Sequence, residues 1–243
     1  GRPDDRPFVL YVCSALFRGS PSEAAFAESW VQAVRTSDDP VLRGCNLLVR
    51  PHPQRLDEWA GRPALQGAVL WGSNPVDEAG RTDYFDSLYY ASAVVGLNTS
   101  ALVEAAIVDR PVYTVLPPEF HENQEGTYHF QHLLTVGGGF LHASRTLTEH
   151  VAQLAAGLRG DHGPNRPFVE RFIRPQGVGV PSGDMFVRTV EALGAAPSPP
   201  PAGTSIGVWL LRPLVYALEL ASRLPILERM YWNPAKFRQV ASA

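Results

Sequence analysis

Apolar and polar positions alternate along this chain in two rhythms, and their succession predicts strands separated by helices. Phe8 to Ser14 (FVLYVCS) is a near-continuous apolar run, the pattern of a strand covered on both faces. Ser20-Pro21-Ser22-Glu23 then predicts a helix start, with Ser20 as cap, Pro21 in the first position and Glu23 closing a capping box. That helix is expected to run to Arg35, with Ala24, Phe26, Trp30, Val31 and Val34 as its apolar face. Further strands are expected at 46–50, 68–71, 93–97, 112–115 and 140–143. Helices are expected at 83–91, 100–108 and 126–134, and from a cap at Thr146 or Thr148 to Leu158, with Gly137-Gly138-Gly139 read as a turn. This alternation predicts an α/β fold built on a parallel, doubly wound sheet.

The pattern changes after Leu193. The segment GAAPSPPPAGTS reads as an extended linker, and past it the chain becomes apolar with arginines at 212, 223 and 229. The expected organisation is a domain at 1–195, a Pro/Ala/Ser-rich linker at 196–205 and an apolar, basic helical tail at 206–243. Trp, Leu and Arg in residues 206–232 suit either a membrane surface or packing against protein, and Pro213 and Pro225 interrupt any long helix there.

Composition narrows the class. The chain has 243 residues, 45% of them hydrophobic and 19% charged, which is ordinary globular usage. A net charge of −3 gives no footprint for nucleic acid. Cys13 and Cys45 lie in or beside apolar runs and read as reduced core residues, which suits a cytoplasmic compartment. No signal peptide is visible, and no apolar stretch is long enough to span a bilayer. The chain begins at Gly1, close to its first strand, and further residues upstream are expected. The skew toward arginine, with Lys236 the one lysine among 21 basic residues, carries no functional signal.

In open α/β sheets ligands bind beyond the carboxyl ends of strands, and three polar clusters fall there. Arg50-Pro51-His52-Pro53 follows the second strand, where an imidazole and a guanidinium can meet a phosphate. Asn98-Thr99-Ser100 follows the fourth, at a helix start whose free N–H groups favour an anion; a helix cap is the alternative use of those hydroxyls. Glu104 lies one turn further along that helix among apolar neighbours, where ribose hydroxyls would satisfy its carboxylate. After the fifth strand, PPEFHENQEGTYHFQHLL offers Glu119, Gln124, Glu125, Gly126 and Thr127 for sugar hydroxyls. Its histidines and glutamates match no standard metal spacing, so no metal and no cofactor are expected. GxGxxG, GxSxG and P-loop sequences are all absent.

Together, His52-Pro53, Thr99-Ser100 and GLNTSALVEAAIVDRPVYT resemble the C-terminal, donor-binding half of a GT-B glycosyltransferase. The likeness is to bacterial capsule and polysaccharide transferases of the polysialyltransferase, Kdo transferase and teichoic-acid glycerophosphotransferase kinds. It spans about residues 7 to 195. It implies a Rossmann-like domain in which His52, Thr99 and Ser100 hold the donor phosphate and Glu104 the ribose. It also implies an N-terminal half that brings the catalytic base; within this chain the catalytic candidates are His52 and Glu119. The implied partners are a nucleotide-activated sugar and a glycan or lipid-linked acceptor, at the inner face of the cell membrane. Two other readings stay open: a UDP-sugar 2-epimerase-like enzyme using Glu119, Glu122 or Glu125 over the sugar, and a non-catalytic nucleotide-sugar scaffold.

Overall fold

The computed structural model of the chain describes residues 6–60, 65–72, 74–197 and 206–222. In chain order its elements are β1 Phe8–Val12, α1 Glu23–Arg35, α2 Pro40–Gly44, β2 Asn46–Arg50, β3 Val69–Leu70, α3 Glu78–Tyr89 and β4 Ala93–Val95. There follow α4 Ser100–Ile107, β5 Val112–Val115, α5 Tyr128–Thr135, β6 Leu141–Ser144, α6 Leu147–Leu158, α7 Arg166–Phe168, α8 Ser182–Ala195 and α9 Ile206–Ser222. Six strands form one sheet in the order β3-β2-β1-β4-β5-β6, parallel at every pairing. The strand order reverses between β1 and β4, which marks the switch point where such sheets bind ligands.

Side-chain alternation along β1 explains the two layers of helix. Val9, Tyr11 and Cys13 face one way and pack with Trp30, Val31 and Val34 of α1, Leu42 of α2 and Leu154 of α6. Leu10 and Val12 face the other way and pack with Leu88 of α3, Leu102 of α4, Phe130 of α5 and Phe168 of α7. With every face covered, a strand such as β4 can be apolar throughout. The sheet is thus doubly wound and Rossmann-like.

Several element starts differ from the sequence reading. Helix α1 is capped by Ser22, not Ser20, and its Oγ accepts from Ala25 N. Glu23 closes no capping box: it is buried and turned toward β1, while Glu58, 34 residues from Ala24 in sequence, accepts from Ala24 N and Ser22 Oγ. Helix α3 begins at Glu78 because Asp77 caps it, accepting from Gly80 N at 2.7 Å. At α6, Thr146 supplies the cap and forms the capping box with Glu149.

The chain divides into two compact units, Gly1–Val180 and Pro181–Ala243, so α8 groups with the C-terminal unit. Residues 198–205 of the linker expected at 196–205, and the tail beyond Ser222, lie outside the described residues. Pro213 sits inside α9, and no described helix is long and apolar enough to cross a membrane.

Candidate functional site

The carboxyl ends of β1, β2 and β4 converge on one cleft. At the end of β2, Arg50 is 3% exposed and its Nη1 donates to Asp83 Oδ2 at 2.7 Å, with the guanidinium 5.2 Å from the Tyr84 ring centre. The other Asp83 oxygen accepts from Trp71 Nε1 at 2.7 Å. Gly72, at φ +113°, lies flat on that guanidinium, and a Cβ there would fall 2.6 Å from Arg50 Cζ. Arg50 therefore lines the cleft as a charge already matched by Asp83.

His52 opens the 3-10 turn Pro53–Trp59, and its Nδ1 accepts from Gln54 N at 3.2 Å. That fixes the tautomer with the proton on Nε2, a hydrogen-bond donor. Burial lowers the imidazole pKa, and the nearby Arg55 guanidinium lowers it further, so the ring is neutral at pH 7. With Nδ1 occupied, His52 is arranged to donate rather than to abstract a proton.

Thr99 and Ser100 stand where β4 feeds α4. Thr99 is in the N-cap position with extended backbone, yet its side chain makes no cap bond. The capping use of this hydroxyl, open on sequence grounds, is thus not taken up. Glu104, one turn on, accepts from the Tyr84 hydroxyl; burial raises the Tyr84 pKa and this bond raises it further. Glu104 and Tyr84 form one wall with Arg50 and Asn74, enclosing a cavity of about 330 Å³.

A second cavity, of about 530 Å³, lies on the far side of His52, Thr99 and Ser100, and these three residues line both. Asn98 lines the second cavity, its Nδ2 bonded to the Asn123 carbonyl and 3.0 Å from His129 Nε2. Behind them runs a buried network. Asn98 N donates to Ser14 Oγ at 3.1 Å, Ser14 N donates to Glu23 Oε2 at 2.6 Å, and Tyr11 Oη donates to Glu23 Oε1 at 3.2 Å. Burial pushes the Glu23 pKa up to about 8 against the pull of these donors, and Glu58 adds to the push.

Arg50, His52, Asn98, Thr99, Ser100 and Glu104 therefore meet around one cleft. The five residues expected to join them from the segment after β5 do not. Gln124 is 1% exposed and its Nε2 donates to Leu97 O, Thr114 Oγ1 and Val115 O, which ties the ends of β4 and β5 together. Glu125 is held by Arg145 at 2.6 and 2.8 Å, and Thr127 Oγ1 donates to Gln124 O. Gly126 packs against Glu122, where a Cβ would come 3.0 Å from the Glu122 Cα. Glu119 is exposed on the 3-10 turn Pro118–Asn123, and none of these five residues lines either cavity. The exposed Glu122 pairs with the neighbouring His121. Among the described residues no three His, Cys, Asp or Glu side chains gather as a metal-holding group.

Sequence reasoning did not single out Tyr84, Ser14, Glu23 or His129 as site residues. Ser14 carried a signal, being the polar residue that ends the first apolar run. Tyr84 carried none, because its facing depends on where α3 starts and on how α3 packs beside α4. No protein-family model matches the chain, and no curated protein matches it.

Proposed function

We propose that this chain is the donor-binding half of a nucleotide-sugar-dependent glycosyltransferase of the GT-B kind, acting in bacterial surface polysaccharide synthesis. One observation carries the reading. A neutral imidazole donor, two hydroxyls and the start of α4 converge where the strand order reverses, with a carboxylate one helical turn away. A phosphate fits the first group: His52 Nε2–H, the Thr99 and Ser100 hydroxyls and the unpaired N–H groups of α4 are all donors. Vicinal ribose hydroxyls fit the second, since the Glu104 carboxylate has acceptor capacity beyond its bond from Tyr84.

In the mechanism we propose, the sugar departs from its nucleotide and negative charge grows on the phosphate oxygens. Donors fixed before the reaction stabilise that charge without reorganising. His52 gives a neutral hydrogen bond, and the α4 dipole adds its positive end. The proton-accepting step is not given to His52, whose Nδ1 is taken by Gln54.

The test is calorimetric titration of the chain with CMP, CDP, UDP and GDP, repeated with His52→Ala and Glu104→Ala. The expected result is binding of about −8 to −4 kcal/mol to at least one nucleotide, weakened about tenfold by each substitution. A folded chain that binds none of the four, or binds one with no loss in either variant, would reject the reading.

A further inference from the structure

The two cavities that share His52, Thr99 and Ser100 differ in chemistry, and the difference concerns what the donor carries beyond its phosphate. The smaller one has Glu104, Arg50 and Tyr84 on its wall. The larger is bounded mainly by apolar groups, among them Phe17, Val103, Leu133 and Phe172. Of its described lining side chains none is Lys, Arg, Asp or Glu. Arg55, whose guanidinium reaches the carbonyl of the lining residue Ala15 at 3.5 Å, is paired with Glu58.

This second cavity is held in shape. Asn123 is 4% exposed; its Oδ1 accepts from Phe17 N at 2.6 Å and its Nδ2 donates to Ser20 Oγ at 2.8 Å. Leu16, beside Phe17, adopts φ +42°, a left-handed backbone unusual for leucine and kept only where its surroundings enforce it. Opposite, Phe172 lies on the π-helical turn Val169–Ile173, anchored against Phe168 at 5.3 Å between ring centres. Both Phe17 and Phe172 remain about half exposed, so their rings present apolar surface to the cavity. The polar groups are few: Asn98 gives its Nδ2 to His129 Nε2, which leaves the Asn98 oxygen as an acceptor and His129 Nδ1–H as a donor. Apolar walls with a small number of placed polar groups are the usual make-up of a small-molecule site.

We infer that the larger cavity receives the transferred group, and that this group is an uncharged sugar with an apolar face, of the acetamido or deoxy kind, rather than an acidic sugar. The inference rests on the donor-site reading above and narrows its substrate class. It follows from the cost of placing a carboxylate against described walls that carry no Lys or Arg, and from the gain of covering two aromatic rings with C–H or methyl surface. It also departs from the acidic sugars that sialic-acid and Kdo transferases carry.

The test compares bare nucleotides with their sugar conjugates on the full chain. The probes are UDP, UDP-N-acetylglucosamine and UDP-glucuronate, with GDP against GDP-fucose and CMP against CMP-N-acetylneuraminate for the other bases, the last counted as an acidic conjugate for its carboxylate. On the base that binds, the acetamido or deoxy conjugate is expected to bind about threefold to tenfold tighter than the bare nucleotide. The acidic conjugate is expected to bind no tighter than the bare nucleotide. Phe172→Ala and Phe17→Ala, whose folding is checked by circular dichroism, are each expected to remove the gain. If an acidic conjugate binds tighter than its bare nucleotide, or the acetamido and deoxy conjugates bind no tighter than theirs, this inference falls while the donor reading stands. If no nucleotide or conjugate binds, the donor reading falls and takes this one with it.

Discussion

The Asn98 backbone N–H donates to Ser14 Oγ at 3.1 Å, and this bond joins the end of β1 to the turn that opens α4. Ser14 is itself fixed from behind by Glu23, which accepts from its backbone N at 2.6 Å and from its hydroxyl at 3.3 Å. The turn that opens α4 is thus anchored to a buried carboxyl group through one serine. Replacing Ser14 by Ala leaves the Asn98 N–H without its acceptor in a part-buried place. We expect a stability loss of about 1–3 kcal/mol in a urea titration, together with weaker nucleotide binding. A variant unchanged in both would show that the turn is held by other contacts.

Two buried groups give stability a pH dependence of opposite sign. Burial lowers the His150 pKa from 6.5 to about 3, while its Nε2 accepts from Trp30 Nε1 at 2.9 Å. The unfolded chain takes up that proton first, so this contribution is present above pH 6.5 and is lost as pH falls toward 3. Glu23 runs the other way: its pKa rises from 4.5 to about 8, so its contribution is complete below 4.5 and is lost as pH rises toward 8. The windows overlap between 4.5 and 6.5, and the stability maximum is expected there. Urea midpoints across this range would show it, and Glu23→Gln should flatten the alkaline limb. A wild-type midpoint that climbs steadily to pH 8 would contradict the Glu23 assignment.

How much of this was legible in the sequence follows from which interactions are local. Strands β2 and β5 coincide with their expected ranges because a strand covered on both faces must be a continuous apolar run. His52, Thr99, Ser100 and Glu104 were legible because topology alone delivers strand ends to one edge. Glu23 was misread because serine followed by glutamate is a local signal, whereas its true partners, Tyr11 and Ser14, lie on the preceding strand and the loop after it. The polar segment after β5 misled for the same reason. Gln124 has the composition of a ligand contact, but it is buried and three acceptors brought together by folding engage its amide nitrogen.

Thr99 separates a binding role from a capping one. A threonine that caps a helix costs about 1 kcal/mol when lost, but Thr99 makes no cap bond to α4. We expect Thr99→Val to change stability by less than about 0.5 kcal/mol while weakening nucleotide binding about fivefold to tenfold. Glu125→Ala serves as the contrast: it removes a surface ion pair with Arg145 worth about 0–1 kcal/mol and is expected to leave nucleotide affinity intact. If Thr99→Val unfolds the chain, or if Glu125→Ala abolishes binding, the division of roles drawn from the cavities is wrong.

Tyr113 and Gly157 make the tightest test of the packing beneath the sheet. The Tyr113 hydroxyl is buried with no hydrogen-bond partner, and burial raises its pKa to about 12. It occupies the space above Gly157 of α6, where a Cβ would fall 1.6 Å from the oxygen and 2.7 Å from Cζ. Neither position can hold such an overlap, so Gly157→Ala must displace the helix or the ring. We expect it to cost about 1–3 kcal/mol, the usual range for overpacking, even though alanine is the better helix former. Tyr113→Phe alone removes an unpaired buried hydroxyl and is expected to be neutral or stabilising. Combined with Gly157→Ala it should recover part of the loss and not all, because the ring carbon still lies within 2.7 Å of the new methyl. Thermal unfolding of the two single variants and the double variant closes a cycle. Additive losses would show that the two side chains do not compete for the same space.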